Sequence, residues 1–204
     1  MNASSEAKRE IKLLIGASGA ISVLNLHQWI AYLKKNLVHD IRVILTDTAA
    51  EFVNPEIISS FTGHPAQTSE LGDPNFPAAH VSLPEWADLF LILPASGNVI
   101  SKAAHGIADD LLTSAILAAN CPVVFAPSMN MQMWRKPAMQ RNVQQLQEDG
   151  YHVFVGPEQE GFRVSTGRPD ASIGIDIGHI GIKMMRLLRT QKPDSSSSIQ
   201  QVSS

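Results

Sequence analysis

Short apolar runs alternate along this chain with stretches whose apolar residues recur every three or four positions. "IKLLIG" (11–16) is a strand-like run that breaks at glycine. "AISVLNLHQWIAYLKKNL" (20–37) then places Val23, Leu26, Ile30 and Leu33 at helical spacing and ends on Lys34 and Lys35, which suit a helix C-terminus. "IRVILT" (41–46) predicts a second strand, "ADLFLILP" (87–94) a third stopped by proline, and "CPVVFAP" (121–127) a fourth stopped the same way. "SKAAHGIADDLLTSAILAA" (101–119) predicts a helix with an internal glycine. "PAMQRNVQQLQEDG" (137–150) predicts another, with proline in its first turn and glycine at its end. "YHVFVG" (151–156) predicts a fifth strand and "IDIGHIGIKMMRLLRT" (175–190) a last helix.

Alternating strands and helices, with strands apolar throughout, predict an α/β fold: a doubly wound parallel sheet covered on both faces. Such sheets take ligands at the carboxyl ends of their strands. The residues following Ile15, Leu45, Leu93 and Phe125 therefore carry the interest.

Composition narrows the classes. With 204 residues, 44% of them hydrophobic and 17% charged, the chain suits a single domain over 10–192. Residues 1–9 read as a disordered leader and the serine-rich stretch 193–204 as a disordered tail. A net charge of -3 gives no basic field for nucleic acid. The single cysteine, Cys121, excludes a disulfide scaffold or a cysteine-rich zinc site, and no histidine pair has zinc-ligand spacing, so no metal is expected. No apolar run reaches the ~18 residues of a membrane span, and the polar N-terminus is unlike a signal peptide. A soluble, cytoplasmic protein is expected.

The strand ends hold the candidate chemistry. "GASGA" (16–20) offers Gly16, Ser18 and Gly19, small residues that let backbone N–H groups and a hydroxyl approach an anion, or that simply make a tight turn. Thr46 and Thr48 in "TDTA" are further hydroxyls at the same edge, or helix caps. In "PASGN" (94–98), Ser96 reads as a simple helix cap, or Asn98 and the turn's amides pair with the polar edge of a flat heterocycle. "APSMNMQMW" (126–134) crowds Met129, Asn130, Met131, Met133 and Trp134 into one turn. Met131 and Met133 read best as core, whereas an asparagine buried without partners costs about 1–3 kcal/mol and asks for a ligand. His80, one of seven histidines, precedes a short helical turn leading into the third strand.

"HVSLPEWADLFLILPASGN", "HGIADDLLTSAILA" and "PSMNMQMW" together resemble the homo-oligomeric flavin-containing cysteine decarboxylases, over most of residues 11–168. The P-x-M-N-x-x-M-W signature (127–134) is highly specific. The resemblance implies a Rossmann/flavodoxin-like three-layer sandwich and a bound flavin, FMN or FAD. It places the flavin phosphate at Gly16–Gly19 and Thr48, with Thr46 beside them, and the ring near Ser96, Asn98 and Met129. His80 becomes the candidate base and Asn130 the group positioning substrate.

One branch of that family decarboxylates 4′-phosphopantothenoylcysteine and carries a cysteine on the flap after the fifth strand. The other oxidatively decarboxylates the C-terminal cysteine of a ribosomally made lantibiotic precursor, leaving an aminoenethiol. Here the flap, "GPEQEGFRVSTGRPDASIG" (156–174), has no cysteine, and "GFRVSTGR" resembles the peptide-clamping hairpin of the second branch. The peptide branch is the reading adopted, with Met133, Phe162, Val164 and Arg168 holding the peptide. Catalytically silent flavin-binding subunits form a third class. Trimers assembled into dodecamers, with the flavin at a subunit interface, are implied. The chain departs from epidermin-type enzymes at Gly97, Val99 and Asp110, where those read Ala, Thr and Asn.

Overall fold

The computed structural model describes residues 10–69, 75–163 and 167–190. The leader and tail expected at 1–9 and 193–204 lie outside the described residues, as does Val164. Five strands make one parallel sheet: β1 (Lys12–Ala17), β2 (Asp40–Leu45), β3 (Leu89–Ala95), β4 (Val123–Pro127) and, with β5 (Met129–Asn130) intervening in the chain, β6 (His152–Val153). Their spatial order is β2-β1-β3-β4-β6. This is the doubly wound arrangement whose switch point falls between β1 and β3, where the chain turns from building one half of the sheet to the other.

Alternation within each strand divides the core. Leu13, Ile15 and Ala17 of β1 face one side, where they join Leu26, Ile30 and Leu33 of α1 (Leu26–Asn36). The same cluster takes in Ala49 of α2 (Asp47–Phe52) and Ile58 of α3 (Pro55–Thr62). Leu14 faces the other side, with Ala79 and Leu83 of α4 (Ala79–Trp86) and Val99 of α5 (Gly97–Ala104). Leu112 of α6 (Leu111–Ala118) packs there too, as do Met139 and Leu146 of α8 (Pro137–Glu148), which follows the single turn α7 (Met131–Trp134). The last helix, α9 (Ile177–Thr190), returns to the first face through Ile180, Met184 and Leu188.

Two expectations change in detail. The helix expected over 101–119 is two, α5 and α6, broken around Gly106, whose φ of 65° lies in the left-handed region. Asp110 starts the second: its carboxylate accepts the Thr113 N–H at 2.7 Å while Thr113 Oγ1 accepts the Asp110 N–H at 3.2 Å. Aspartate and asparagine cap almost equally well, so the departure at 110 preserves this helix start. The fifth strand pairs with its neighbour only at His152 and Val153 rather than across 151–156.

A second, three-stranded sheet lies outside the first. β7 (Glu158–Arg163) and β8 (Arg168–Ile173) form an antiparallel hairpin, and β5 pairs with β8 in the order β5-β8-β7. The short turn after β4 thereby becomes the root of the hairpin.

Candidate functional site

The carboxyl ends of β1, β3 and β4 are joined by serines. Ser18, buried at the end of β1, donates its hydroxyl to the Pro94 carbonyl at 2.7 Å and accepts the Ser96 N–H at 2.8 Å. The Ser128 N–H donates to the Ala95 carbonyl at 3.0 Å. The hydroxyls of Ser22 and Ser128 lie 2.7 Å apart. Ser22 and Ser128 carried no signal in the sequence, because their pairing depends on a contact 106 residues apart.

This geometry revises three expectations. Ser18's only hydroxyl hydrogen is used on Pro94, so its side chain is a clip across the switch point rather than a donor to an anion. Gly16 lies inside β1, in register with Ile44 and Ile92, and a Cβ there would run into the Leu112 side chain. Its smallness serves the packing of α6. Asn130 is not left unpaired: its side-chain oxygen accepts the Met133 N–H at 2.8 Å and so caps α7.

Gly19 does make a close approach, since an added Cβ would overlap the Thr48 side chain. That contact brings the first turn against the start of α2. Thr46 caps α2, its oxygen accepting the Ala49 N–H at 3.2 Å, which leaves its hydroxyl hydrogen to donate. Thr48 is exposed beside it. Ser96 caps α5 through the Val99 N–H at 3.4 Å, and Asn98 one step on is exposed.

Methionines line the next part of the edge. A Cβ on Gly97 would meet the terminal methyls of Met133 and Met139 at 3.2 Å each, with that of Met129 at 3.9 Å. Met129 and Met131 are buried at 8% and 7% exposure, whereas Met133 is 45% exposed. Met131 is therefore core as expected, and Met133 is not: it is a soft apolar side chain presented at the strand ends.

His80 is half-buried in the first turn of α4. Ala78 just before it has φ 52° and ψ 60°, the one non-glycine residue with positive φ among those described. A left-handed alanine costs about 1–2 kcal/mol, and backbone strain of this kind gathers at functional sites. Pro84, inside α4, lacks the N–H that would point back to the His80 carbonyl, so that turn is shaped locally as well.

The hairpin continues the site outward. Met129 is opposite Ile173 and Asn130 opposite Ser172, so β8 runs from the Asn130 turn toward the hairpin tip, where Arg168 is exposed and opposite Arg163. Phe162 stands opposite Pro169 in β7. A hollow of about 390 Å³ lies between α7 and the hairpin root, lined by Met131, Trp134, Arg135, Gln140, Glu158 and Ile173. A second, of about 520 Å³, shares Glu158 and follows Glu160, Pro169 and Ala171 along the hairpin.

Charges near the edge are few. Lys102 bonds Asp109 at 2.7 Å, which holds the Asp109 carboxyl below its usual range and raises the Lys102 ammonium. Cys121 stands just before β4, at the opposite edge of the sheet from these strand ends, and burial pushes its thiol up to about 11. Among the described residues no cluster could hold a metal ion, and no helix is long and apolar enough to cross a membrane.

A family model described as Flavoprotein matches residues 1–179. The chain is 34% identical to mersacidin decarboxylase of Bacillus sp. (strain HIL-Y85/54728), over 82% of this chain and 84% of that one. It is 40% identical to the coenzyme A biosynthesis bifunctional protein CoaBC of Bacillus subtilis (strain 168), over 59% of this chain but only 30% of that longer one. The solved structure of the FMN-dependent cysteine decarboxylase SpaF superposes with a TM-score of 0.75 at 39% identity, covering 88% of this chain and 98% of that one. With the family model matched over most of its length, the chain belongs to the flavoprotein family.

Proposed function

We propose that this protein uses FMN to decarboxylate oxidatively the C-terminal cysteine of a ribosomally made precursor peptide, releasing CO2 and an aminoenethiol that goes on to S-aminovinyl-cysteine. The observation that carries the reading is the pairing of Asn130 with Ser172. It makes the turn that faces the strand ends continuous with a hairpin suited to an extended peptide. The match to mersacidin decarboxylase over 82% of this chain supports the same branch, and so does the absence of cysteine from residues 156–174.

The residues fit a flavin. The Gly19 turn is closed so tightly on Thr48 that only glycine fits; the Ser18 and Ala20 N–H groups are taken by the Pro94 and Ser18 carbonyls, so the Gly19 N–H is the one this turn would offer a phosphate. Thr46 and Thr48 would hold the phosphate with that turn. Ser96, Asn98 and Met129 would hold the ring, Met129 as an apolar face and Asn98 as a donor and acceptor. The flavin, when bound, supplies the two-electron acceptor for oxidation of the cysteine side chain, and the protein orients and desolvates the partners.

His80 would act as the base that takes the substrate proton. The Asn130 amide, with its oxygen committed to α7, would donate its N–H groups to the substrate carboxylate or amide. Met133, Phe162, Val164 and Arg168 would hold the residues before the cysteine. A homo-oligomer, a trimer built into a dodecamer, is part of this reading, with His80 acting on a flavin held mainly by a neighbouring chain. Val81, next to His80, is exposed at 36%, and Leu24 and Ile57 at 47% and 53%, apolar surface that such an assembly would cover.

A peptide ending in cysteine, incubated with the yellow protein, is expected to lose CO2 and two hydrogens by mass spectrometry. The identity to the coenzyme A protein favours a second reading as a phosphopantothenoylcysteine decarboxylase. Turnover of phosphopantothenoylcysteine alone, with loss of CO2 only, selects it. A flavin-loaded protein that consumes neither is a silent subunit.

A further inference from the structure

The Ser22–Ser128 contact joins two parts of the site that the sheet keeps apart. Ser22 belongs to the turn of 3-10 helix (Ile21–Asn25) that follows the glycine turn, and Ser128 directly precedes Met129 and Asn130. β1 and β4 are not neighbours; β3 lies between them. Two strand spacings separate them by roughly 9–10 Å. The two hydroxyls meet over the end of β3, 2.7 Å apart.

The contact also closes a ring. Ser18 ties the β1 turn to the β3 turn at Pro94 and Ser96, and the Ser128 N–H ties the β4 turn to Ala95. Of the links in that ring, only Ser22–Ser128 runs directly from the first turn to the Asn130 turn. Ser128 is 9% exposed and Ser22 half-buried, so water competes weakly for the bond. Two hydroxyls carry two hydrogens, and the bond between them uses one.

We propose that Ser22 and Ser128 are positioning residues that couple the two halves of the site: the hydroxyl bridge holds the flavin-binding turn and the substrate-binding Asn130 turn in one geometry, so that loading either orders the other. The inference rests on the function proposed above, with the first turn holding FMN and Asn130 the peptide. Neither serine needs to touch the reacting atoms. Their effect is on the spacing between two groups of ligands, where small displacements are costly.

The test is a double-mutant cycle with Ser22→Ala, Ser128→Ala and the pair, reading FMN affinity by fluorescence quenching and peptide KM and kcat separately. One neutral hydrogen bond predicts about three- to tenfold weaker FMN binding for each single variant. KM for a cysteine-ended pentapeptide rises by a similar factor while kcat stays within about twofold. The double variant is no worse than the poorer single one, because all three lack the same bond. Ser22→Thr, which keeps the hydroxyl, restores FMN affinity and KM, which separates coupling from a loss of folding. Single variants that bind FMN and peptide as the wild type does overturn the inference, and so does a double variant whose loss is the product of the two. A wild-type protein that is yellow and active alongside such variants leaves the decarboxylase reading intact. A wild type that binds no FMN overturns both.

Discussion

The side-chain oxygen of Asn130 accepts the backbone N–H of Met133 at 2.8 Å. One end of the asparagine therefore makes a helix cap, and the proposed function assigns the other to substrate. Asn130→Asp keeps the capping oxygen and removes the N–H donors; Asn130→Ala removes both. The aspartate variant is expected to unfold within about 0.5 kcal/mol of wild type yet lose at least about a hundredfold in activity. The alanine variant is expected to be equally inactive and about 1 kcal/mol less stable. Denaturant melts set beside turnover rates separate the two roles, and an active Asn130→Asp removes the asparagine from substrate positioning.

Gly19 and Thr48 supply a second test. Alanine at 19 forces its Cβ into the Thr48 side chain, so the first turn must lift from α2. Gly19→Ala is expected to purify with FMN affinity down by at least about tenfold and to cost about 1–3 kcal/mol in stability, the range for overpacking. Adding Thr48→Ser removes the methyl that is struck while keeping the hydroxyl, and should recover part of both losses. Equal flavin content in Gly19→Ala and wild type would place the phosphate elsewhere.

Ala78→Gly relieves the left-handed backbone ahead of His80. Although glycine is ordinarily the costlier residue to order, here it should stabilise by about 1 kcal/mol. The denaturation midpoint is the measurement. His80→Asn, two residues on, should keep flavin and lose turnover; an active variant takes His80 out of the mechanism.

Cys121 predicts a pH dependence unrelated to catalysis. Its folded-state thiol is pushed up to about 11 by burial, against about 8.5 for a free thiol. The fold therefore favours the protonated form. That contribution is fully present below the ordinary thiol range and is lost as pH rises from there through about 11. Stability of the wild type should fall more steeply over this interval than that of Cys121→Ala, and alkylation should accelerate up to the same pH.

Much of the fold was legible because fully apolar runs such as "LFLIL" admit few partners other than a sheet buried on both faces. The break between α5 and α6 was not, because Ile107 continues the apolar rhythm although it is 48% exposed, and only the left-handed Gly106 shows that the chain has turned. The strand ends and the P-x-M-N signature pointed to the candidate site, yet its hydrogen-bond assignments were not legible. Ser18 and Asn130 look like free polar groups in the sequence, and each has part of its capacity taken by a backbone partner: Pro94, far along the chain, for Ser18, and Met133, three residues on, for Asn130. Met133 read as core because its type is usually buried, yet on the single-turn helix α7 it is 45% exposed.

The central claim is that oxidation of a peptide's terminal cysteine happens beside the Asn130 turn, with electrons passing to the flavin. An anaerobic titration measures it directly. Without oxygen, one equivalent of a cysteine-ended peptide should bleach the flavin band completely, and the same peptide lacking its last residue should not change it. A flavin band that stays oxidised while the peptide loses CO2 would contradict the account.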